Sequence, residues 1–194
     1  MLASRPRLVH ALRLPGGEPA MVRPVGPRDA GALQAYVRAL SPEARYSRFF
    51  GPLFELSPVE LDRVTHLDRR SQLAVIVEAC IDGGSTVVGE ARYALSPDGD
   101  FEFALSIADA FRRKGLGALL MADLEAQASR LGAHRLVADV LRSNLAMQSL
   151  ARKSGFALTD VPREARAIRI VKDLRLSRTA PREAATVPTL PIAA

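Results

Sequence analysis

The stretch that decides the fold is Phe111-Arg112-Arg113-Lys114-Gly115-Leu116-Gly117-Ala118. It follows a strand-like segment at residues 101–107 and opens an apolar helical run that continues through Leu124. A strand, a basic turn with glycine and a helix start suit a phosphate group, because glycine lets the backbone approach closely and the first helical amides lack intrahelical partners. Those amides and the helix dipole attract anions, and the three basic side chains add donors. We therefore predict an anion site here.

The spacing in this loop is Arg-x-x-Gly-x-Gly, formed by Arg112, Gly115 and Gly117. It is not a Walker loop, and it is not the dinucleotide pattern, because the residue three positions past Gly117 is Leu120. It resembles the acetyl-CoA pyrophosphate loop of the GCN5-related N-acetyltransferases (GNAT family). The resemblance implies that acetyl-CoA is the co-substrate and that its diphosphate is bound by Arg112, Arg113, Lys114, Gly115, Leu116, Gly117 and Ala118.

The order of elements along the chain also resembles that of a GNAT domain. The resemblance implies an α/β (α+β) fold with a mixed, mostly antiparallel central sheet and helices on both faces. The resemblance covers residues 21–174. Residues 1–20 are left as an N-terminal arm with a first strand. Residues 175–194 form a tail that we predict to be disordered, because it is rich in Ala, Pro and Thr. Periodicity, caps and turns predict strands at 8–14, 20–25, 73–81, 86–95, 101–107, 135–141, 156–161 and 167–174, and helices that start after Asp29, Ser41, Ser57, Gly115 and Ser143.

Two further segments strengthen the resemblance. Asn144 followed by Gly155-Phe156 is similar to the later helix–turn–strand segment of the family. Residues 40–50, Leu-Ser-Pro-Glu-Ala-Arg-Tyr-Ser-Arg-Phe-Phe, resemble a segment of bacterial protein lysine acetyltransferases, as do Leu67-Asp68 and the run from Phe101-Glu102 to Ala108-Asp109. This narrower likeness implies a protein lysine as the acceptor.

Two glutamates are candidates for the catalytic base. In the narrower family a glutamate at the strand position of Glu102 is the general base, and strand alternation places Glu102 on the face opposite Phe101 and Phe103. Glu90, on the neighbouring strand, is the second candidate, because other branches of the superfamily use a carboxylate there. The alternative for Glu102 is a solvent-facing side chain, and the alternative for Glu90 is a cross-strand ion pair with Arg92 or another basic side chain.

The resemblance also assigns the arm of the cofactor. The backbone of Leu105, Ser106 and Ile107 would pair with the pantetheine amides, in a slot where two parallel strands splay apart. Asn144 would hydrogen-bond the same arm, although a helix-cap role competes with this one or accompanies it. Many members have a tyrosine seven residues after the asparagine as the general acid, but this chain has Ala151 there.

Composition limits the other function classes. The chain has 194 residues, 27 Lys and Arg against 21 Asp and Glu, and a net charge of +6. This balance is compatible with nucleic acid, but the basic residues are scattered and lack interleaved aromatic residues, so we do not favour that partner. A single cysteine, Cys80, provides no metal signature and is predicted to be a small buried side chain in a strand. Without a secretory segment or a long apolar run, we expect a cytoplasmic protein that does not span a membrane.

Three functional hypotheses remain open at this point. The first is direct acetyl transfer from acetyl-CoA to a primary amine, with a protein lysine ahead of a small-molecule amine. The second is a catalytically degenerate sensor that binds acyl-CoA, which the residue at 151 keeps open. The third is a basic module that binds nucleic acid through the Arg112–Lys114 cluster.

Overall fold

The central element of the computed structural model is an eight-stranded sheet, and the model describes residues 10–68, 71–162 and 164–174. The strand order is β1-β2-β3-β4-β5-β6-β8-β7. Every neighbouring pair is antiparallel except β5 and β6, which are parallel. The strands are β1 (His10–Arg13), β2 (Pro19–Pro24), β3 (Gln72–Ile81), β4 (Gly84–Leu95), β5 (Phe101–Ile107), β6 (Arg135–Leu141), β7 (Ala157–Asp160) and β8 (Ala167–Asp173).

Helices cover both faces of this sheet, as the sequence predicts. The described residues form α1 (Ala30–Ala39), α2 (Pro42–Phe49), α3 (Pro58–Thr65), α4 (Leu116–Arg130) and α5 (Leu145–Lys153), together with 3₁₀ turns at Pro27–Asp29 and Asp109–Phe111. Two apolar clusters fill the space between the sheet and the helices, one on each face of the sheet. The larger cluster packs Leu120 and Leu124 of α4 against Phe101 and Leu136, and the smaller one packs α1 to α3 against the other face around Ile76.

Local signals explain where the early helices begin. The Ser41 hydroxyl accepts a hydrogen bond from the Ala44 N–H, and Ser57 with Glu60 forms a reciprocal capping box at the start of α3. Asp29 immediately precedes α1, but its side chain does not cap that helix. Its carboxylate instead accepts hydrogen bonds of 2.7 and 2.8 Å from the Arg23 guanidinium. The predicted cap of α1 is therefore wrong, because the carboxylate binds Arg23 and also accepts a hydrogen bond of 2.7 Å from the Gly26 N–H, at the start of the preceding 3₁₀ turn.

The cysteine prediction is also wrong. Cys80 is exposed, whereas the middle of β3 is buried on both faces. The pairing skips Val88 of β4 between Val77 and Glu78. The strand β3 nevertheless keeps its alternation, because Val75, Val77 and Ala79 all lie in the larger apolar cluster. Cys80 therefore lies on the opposite face, and it pairs with Ser85 close to the hairpin turn. Residues 84–86 of the paired strand are exposed as well, so the apolar run in the sequence does not become a fully buried run near the turn.

Some predicted features lie outside what the structure describes. The tail at 175–194 and the first residues of the predicted strand at 8–14 are among them. No helix in the described part of the chain is both long and apolar enough to cross a membrane.

The packing of α4 against the sheet generates a stability prediction. We expect Leu124→Ala to lower the free energy of unfolding by about 2–5 kcal/mol, because the side chain is fully buried and its removal leaves a cavity. Leu145→Ala removes a side chain that is 70% exposed and serves as the control, with an expected change under about 0.5 kcal/mol. Urea denaturation measures both, and equal losses would contradict the assigned packing.

Candidate active site

The loop between β5 and α4 has the backbone geometry of an anion site. Arg113 and Gly115 both adopt left-handed conformations, with φ of 60° and 83°. Successive amides in such bends form a concave cluster of N–H donors. The Leu119 N–H bonds to the Gly115 carbonyl at 3.1 Å, so the amides of Leu116 to Ala118 precede the first helical bond. A Cβ on Gly115 would meet no protein atom within 4 Å, so the space in front of this bend is open.

Two of the three basic side chains of the loop contact neighbouring groups, and the third is exposed without such a contact to any described residue. Arg112 pairs with Asp109 at 3.1 Å, and its Nε lies 3.4 Å from the Ile107 carbonyl oxygen. Lys114 Nζ lies 4.9 Å from the centre of the Phe111 ring. Arg113 is exposed. The predicted cluster therefore supplies positive charge around the bend while the backbone amides occupy its centre.

A slot opens beside this loop because β5 and β6 separate. The two strands pair only at Phe101 with Leu136 and at Glu102 with Val137 in the described part of the chain. Leu105 and its two neighbours continue to pair with β4 on the other side. The edge of β5 that faces β6 beyond Glu102 is consequently unpaired and has backbone donors and acceptors to offer. This is the divergence that the sequence resemblance implies.

Residues on either side of the slot contribute polar groups. The Ser106 Oγ lies 2.9 Å from the hydroxyl of Tyr36 on α1, and burial raises the pKa of that phenol well above its ordinary range. Asn144, just after β6, accepts a hydrogen bond from the Met147 N–H at 3.0 Å and so caps α5. This bond uses only the carbonyl oxygen, and the amide group retains two donors.

The position at which the sequence resemblance implies a tyrosine has no acidic group. Ala151 is fully buried in the main apolar cluster. The side chain of this residue therefore supports packing and contributes no acid.

Glu90 is held in a buried ion pair. Its carboxylate accepts hydrogen bonds from Arg48 Nη2 at 2.9 Å and from Arg48 Nε at 3.2 Å. The two side chains are 8% and 6% exposed, and Arg92 Nε lies 3.6 Å from the other carboxylate oxygen. Glu90 therefore forms the ion pair that was the alternative to a catalytic role, and its main partner is Arg48 of α2. A carboxylate fixed by two nitrogens of one guanidinium is poorly placed to accept a proton from a substrate.

Glu102 lies in a different environment. It is exposed, on the opposite face of β5 from the buried Phe101 and Phe103, as alternation predicts. It lines a cavity of about 320 Å³ between α3 and the strands β3 to β5. The same cavity is lined by Arg48, Arg63, Arg92 and Tyr93, and burial raises the pKa of the Tyr93 phenol to about 12. Glu102 is therefore the candidate base with room for a substrate and water beside it.

Sequence reasoning did not identify the arginines of this cavity or Tyr36 as site residues. One usable signal exists for Arg48, which lies four residues after the buried Ala44 and hence on the inward face of α2. Its partner is 42 residues away, so no local pattern connects the two. Among the described residues, no three His, Cys, Asp or Glu side chains are grouped to hold a metal ion.

Comparison with known sequences places this geometry among acetyltransferases. The sequence model of the acetyltransferase (GNAT) family matches residues 37–156. Acetyltransferase PA5475 of Pseudomonas aeruginosa is 33% identical over 144 residues, which cover 74% of this chain and 77% of that protein.

Solved structures share the fold. The GNAT domain of S. lividans PAT matches with a TM-score of 0.77 and 26% identity, covering 88% of this chain and 99% of that one. The structure of yncA from Salmonella typhimurium with its cofactor acetyl-CoA matches with a TM-score of 0.64 and 18% identity, covering 88% and 99%. The predicted fold class and the resemblance to protein lysine acetyltransferases are confirmed.

The buried ion pair gives a second prediction. We expect Glu90→Gln to lower the free energy of unfolding by about 3–5 kcal/mol, because Arg48 would keep its charge without a buried counter-charge. Glu55→Gln breaks an exposed ion pair with Arg38 and is the matched control, with an expected loss below about 1 kcal/mol. Guanidinium chloride denaturation compares the two. A Glu90→Gln variant as stable as the control would show that the pair has no structural role.

Proposed function

Because this chain belongs to the acetyltransferase (GNAT) family, we propose that it transfers the acetyl group of acetyl-CoA directly to a primary amine, the side chain of a protein lysine. The observation that carries this proposal is the divergence of β5 from β6 beside a helix N-terminus with open amides. In this proposal the diphosphate binds the amides from Arg113 to Ala118, and the pantetheine arm pairs with Leu105, Ser106 and Ile107. Asn144 donates to the same arm. The relative yncA, solved with acetyl-CoA, supports this choice of co-substrate.

The acceptor amine must lose its proton before it attacks the thioester carbonyl. A lysine with an ordinary pKa of about 10.4 requires about 4.6 kcal/mol to be neutral at pH 7. Glu102 is the proposed base. Leaving the proton on an ordinary carboxyl would be uphill by about 8 kcal/mol by either a direct or a water-mediated path, so we propose that the exposed Glu102 orders a water molecule that passes the proton on to solvent. The arginines of the cavity add a positive field that favours the neutral amine over the ammonium.

Attack by the amine forms the new C–N bond, and collapse of the tetrahedral intermediate breaks the C–S bond and releases the thiolate. Since Ala151 has no acidic group, water is the proposed source of the proton for the sulfur. An alkyl thiol such as the cysteine side chain has an ordinary pKa near 8.5. The thiol of coenzyme A is also an alkyl thiol and is mostly protonated at neutral pH, so no special acid is required at equilibrium.

The preference for a protein lysine rests on the segment at residues 40–50 and on the similarity to the S. lividans PAT domain. A small-molecule amine is the alternative acceptor, since the cavity is large enough for one. The hypothesis of a catalytically degenerate sensor for acyl-CoA is disfavoured, because Glu102, the proposed base, lies on the cavity wall. The domain bounds at 21–174, the absence of a metal and a cytoplasmic location stay predictions.

The role of Glu102 is tested by Glu102→Gln. We expect the rate of thiol release from acetyl-CoA in the presence of an amine acceptor to fall by about 100-fold or more, the usual contribution of a general base. The affinity for acetyl-CoA should be unchanged, because Glu102 precedes the unpaired part of β5. Glu55→Gln controls for the loss of a surface charge. Unchanged turnover in Glu102→Gln would remove the residue from the base role.

The anion site is tested by a pair of glycine variants with the same backbone strain. Gly115 and Gly132 have φ of 83° and 80°, and a Cβ at either position meets no protein atom within 4 Å. Each alanine variant should lose about 1 kcal/mol of stability. Only Gly115→Ala should weaken binding of acetyl-CoA, by about 10-fold, because its methyl group projects into the space for the diphosphate and weakens a charge-assisted hydrogen bond. Calorimetric titration measures the affinities, and equal affinities in both variants would contradict the assignment.

A further inference from the structure

The cavity that Glu102 lines carries more positive than negative charge. Among the described residues of its wall, Arg48, Arg63 and Arg92 are cations and Glu102 is the one carboxylate. Glu90 already neutralises Arg48 through hydrogen bonds of 2.9 and 3.2 Å.

Glu60 acts on Arg63 and Arg92 from outside the wall, but its carboxylate is already hydrogen-bonded to Ser57 at 2.7 Å. On the described part of the wall itself, Arg63 and Arg92 therefore face a single carboxylate, that of Glu102.

Arg63 is exposed and has no hydrogen bond or ion pair with residues 10–68, 71–162 or 164–174, whereas Arg92 is partly buried and has one long ion pair. The ion pair of Arg92 with Glu90 spans 3.6 Å between Nε and Oε1, which is longer than a hydrogen bond. No described residue accepts a hydrogen bond from its guanidinium, although the side chain is only 32% exposed. Burial lowers the pKa of Arg92, Glu90 and Glu60 oppose that effect, and the charge of Arg48 adds to it. A partly desolvated cation with free donors at a cavity wall is stabilised by an added anion.

We propose that Arg92 and Arg63 bind a carboxylate of the acceptor, so that the preferred substrate is a primary amine with a carboxylate close to it. This inference rests on the proposed function, because it assigns the cavity beside Glu102 to the acceptor. The carboxylate binds the guanidinium groups, and the amine then lies near Glu102 on the same wall. Planar guanidinium donors match the two oxygens of a carboxylate, which fixes orientation as well as affinity.

The same charges select against other acceptors. An amine that brings only its own positive charge, or further basic groups, meets the excess of arginines on the cavity wall and is repelled. A carboxylate near the amine removes that repulsion. The cavity thus favours acidic acceptors both by attraction and by exclusion.

The carboxylate has two possible sources with the same chemistry. At about 320 Å³ the cavity holds a group the size of one amino acid. The anion is either the free carboxylate of a small amine or an acidic side chain next to a lysine in a protein. The experiment below separates these sources.

The test measures thiol release from acetyl-CoA with two pairs of acceptors. In the first pair, Nα-acetyl-lysine is compared with Nα-acetyl-lysine amide, which lacks the carboxylate. In the second pair, a blocked heptapeptide with lysine between two glutamates is compared with the same peptide carrying glutamines. In one of the two pairs, we expect kcat/KM for the acceptor with the carboxylate to exceed that for the counterpart without it by about 10-fold or more. The pair that shows this preference identifies whether the carboxylate belongs to a small amine or to a neighbouring acidic side chain.

Variants assign the preference to the cavity. Arg92→Gln should reduce the ratio between acid and neutral acceptors to about 1, mainly through KM, with the affinity for acetyl-CoA unchanged. Arg63→Gln, at an exposed position that places little demand on folding, should reduce it in the same direction. Arg28→Gln removes an exposed arginine outside the cavity and should leave the ratio unchanged. A ratio near 1 in the unaltered protein for both pairs, or a ratio that Arg92→Gln and Arg63→Gln leave intact, would overturn the proposal.

A binding measurement separates this proposal from the proposed function. N-acetylglycine, compared with N-acetylglycinamide, should raise the melting temperature of the unaltered protein and of Arg28→Gln, but not that of Arg92→Gln. If no acceptor is acetylated while this pattern holds, the anion site stands and the proposed function fails. If amines are acetylated regardless of charge and N-acetylglycine has no effect, the function stands and the anion site is overturned.

Discussion

The pairing between β5 and β6 stops after two residue pairs, and the arrangement of the site depends on that interruption. Two parallel neighbours in a sheet ordinarily share an evenly spaced ladder of hydrogen bonds. Here β5 keeps its full ladder to β4 but loses β6 beyond Glu102. The backbone groups released on β5 need partners. An extended ligand with amides of its own can satisfy them, and the same divergence leaves the N-terminus of α4 open at the end of the slot.

The α2 helix contributes Arg48 to the cavity beside Glu102 and is held at both ends. At its start, the Ser41 N–H and hydroxyl bond to the Asp109 carboxylate, which also pairs with Arg112 of the glycine loop. Near its end, Arg48 reaches Glu90 on β4. One helix thereby connects the loop proposed to bind the diphosphate with the floor of the cavity proposed to bind the acceptor. The buried ion pair fixes that connection, while Glu102 on the neighbouring strand stays exposed.

The parts of this structure that follow from local chemistry could be predicted from the sequence. Capping serines placed α2 and α3, and alternation placed Glu102 opposite Phe101 and Phe103. Features that depend on distant partners could not. The side chain of Asp29 binds Arg23 in preference to its own helix. The ion-pair alternative for Glu90 gained its main partner from a helix 42 residues earlier, and the arginines of the cavity converge from α2, α3 and β4 with no shared pattern. The exposure of Cys80, on a strand that is otherwise mostly buried, is likewise not marked by the apolar residues around it.

The most direct test of this account is a crystal structure of the full chain with acetyl-CoA. The account predicts the diphosphate within hydrogen-bonding distance of the amides between Arg113 and Ala118, with the pantetheine arm extended along Leu105 to Ile107 between β5 and β6. A cofactor bound elsewhere, or a slot that stays closed by side chains of the protein at saturating acetyl-CoA, would contradict it.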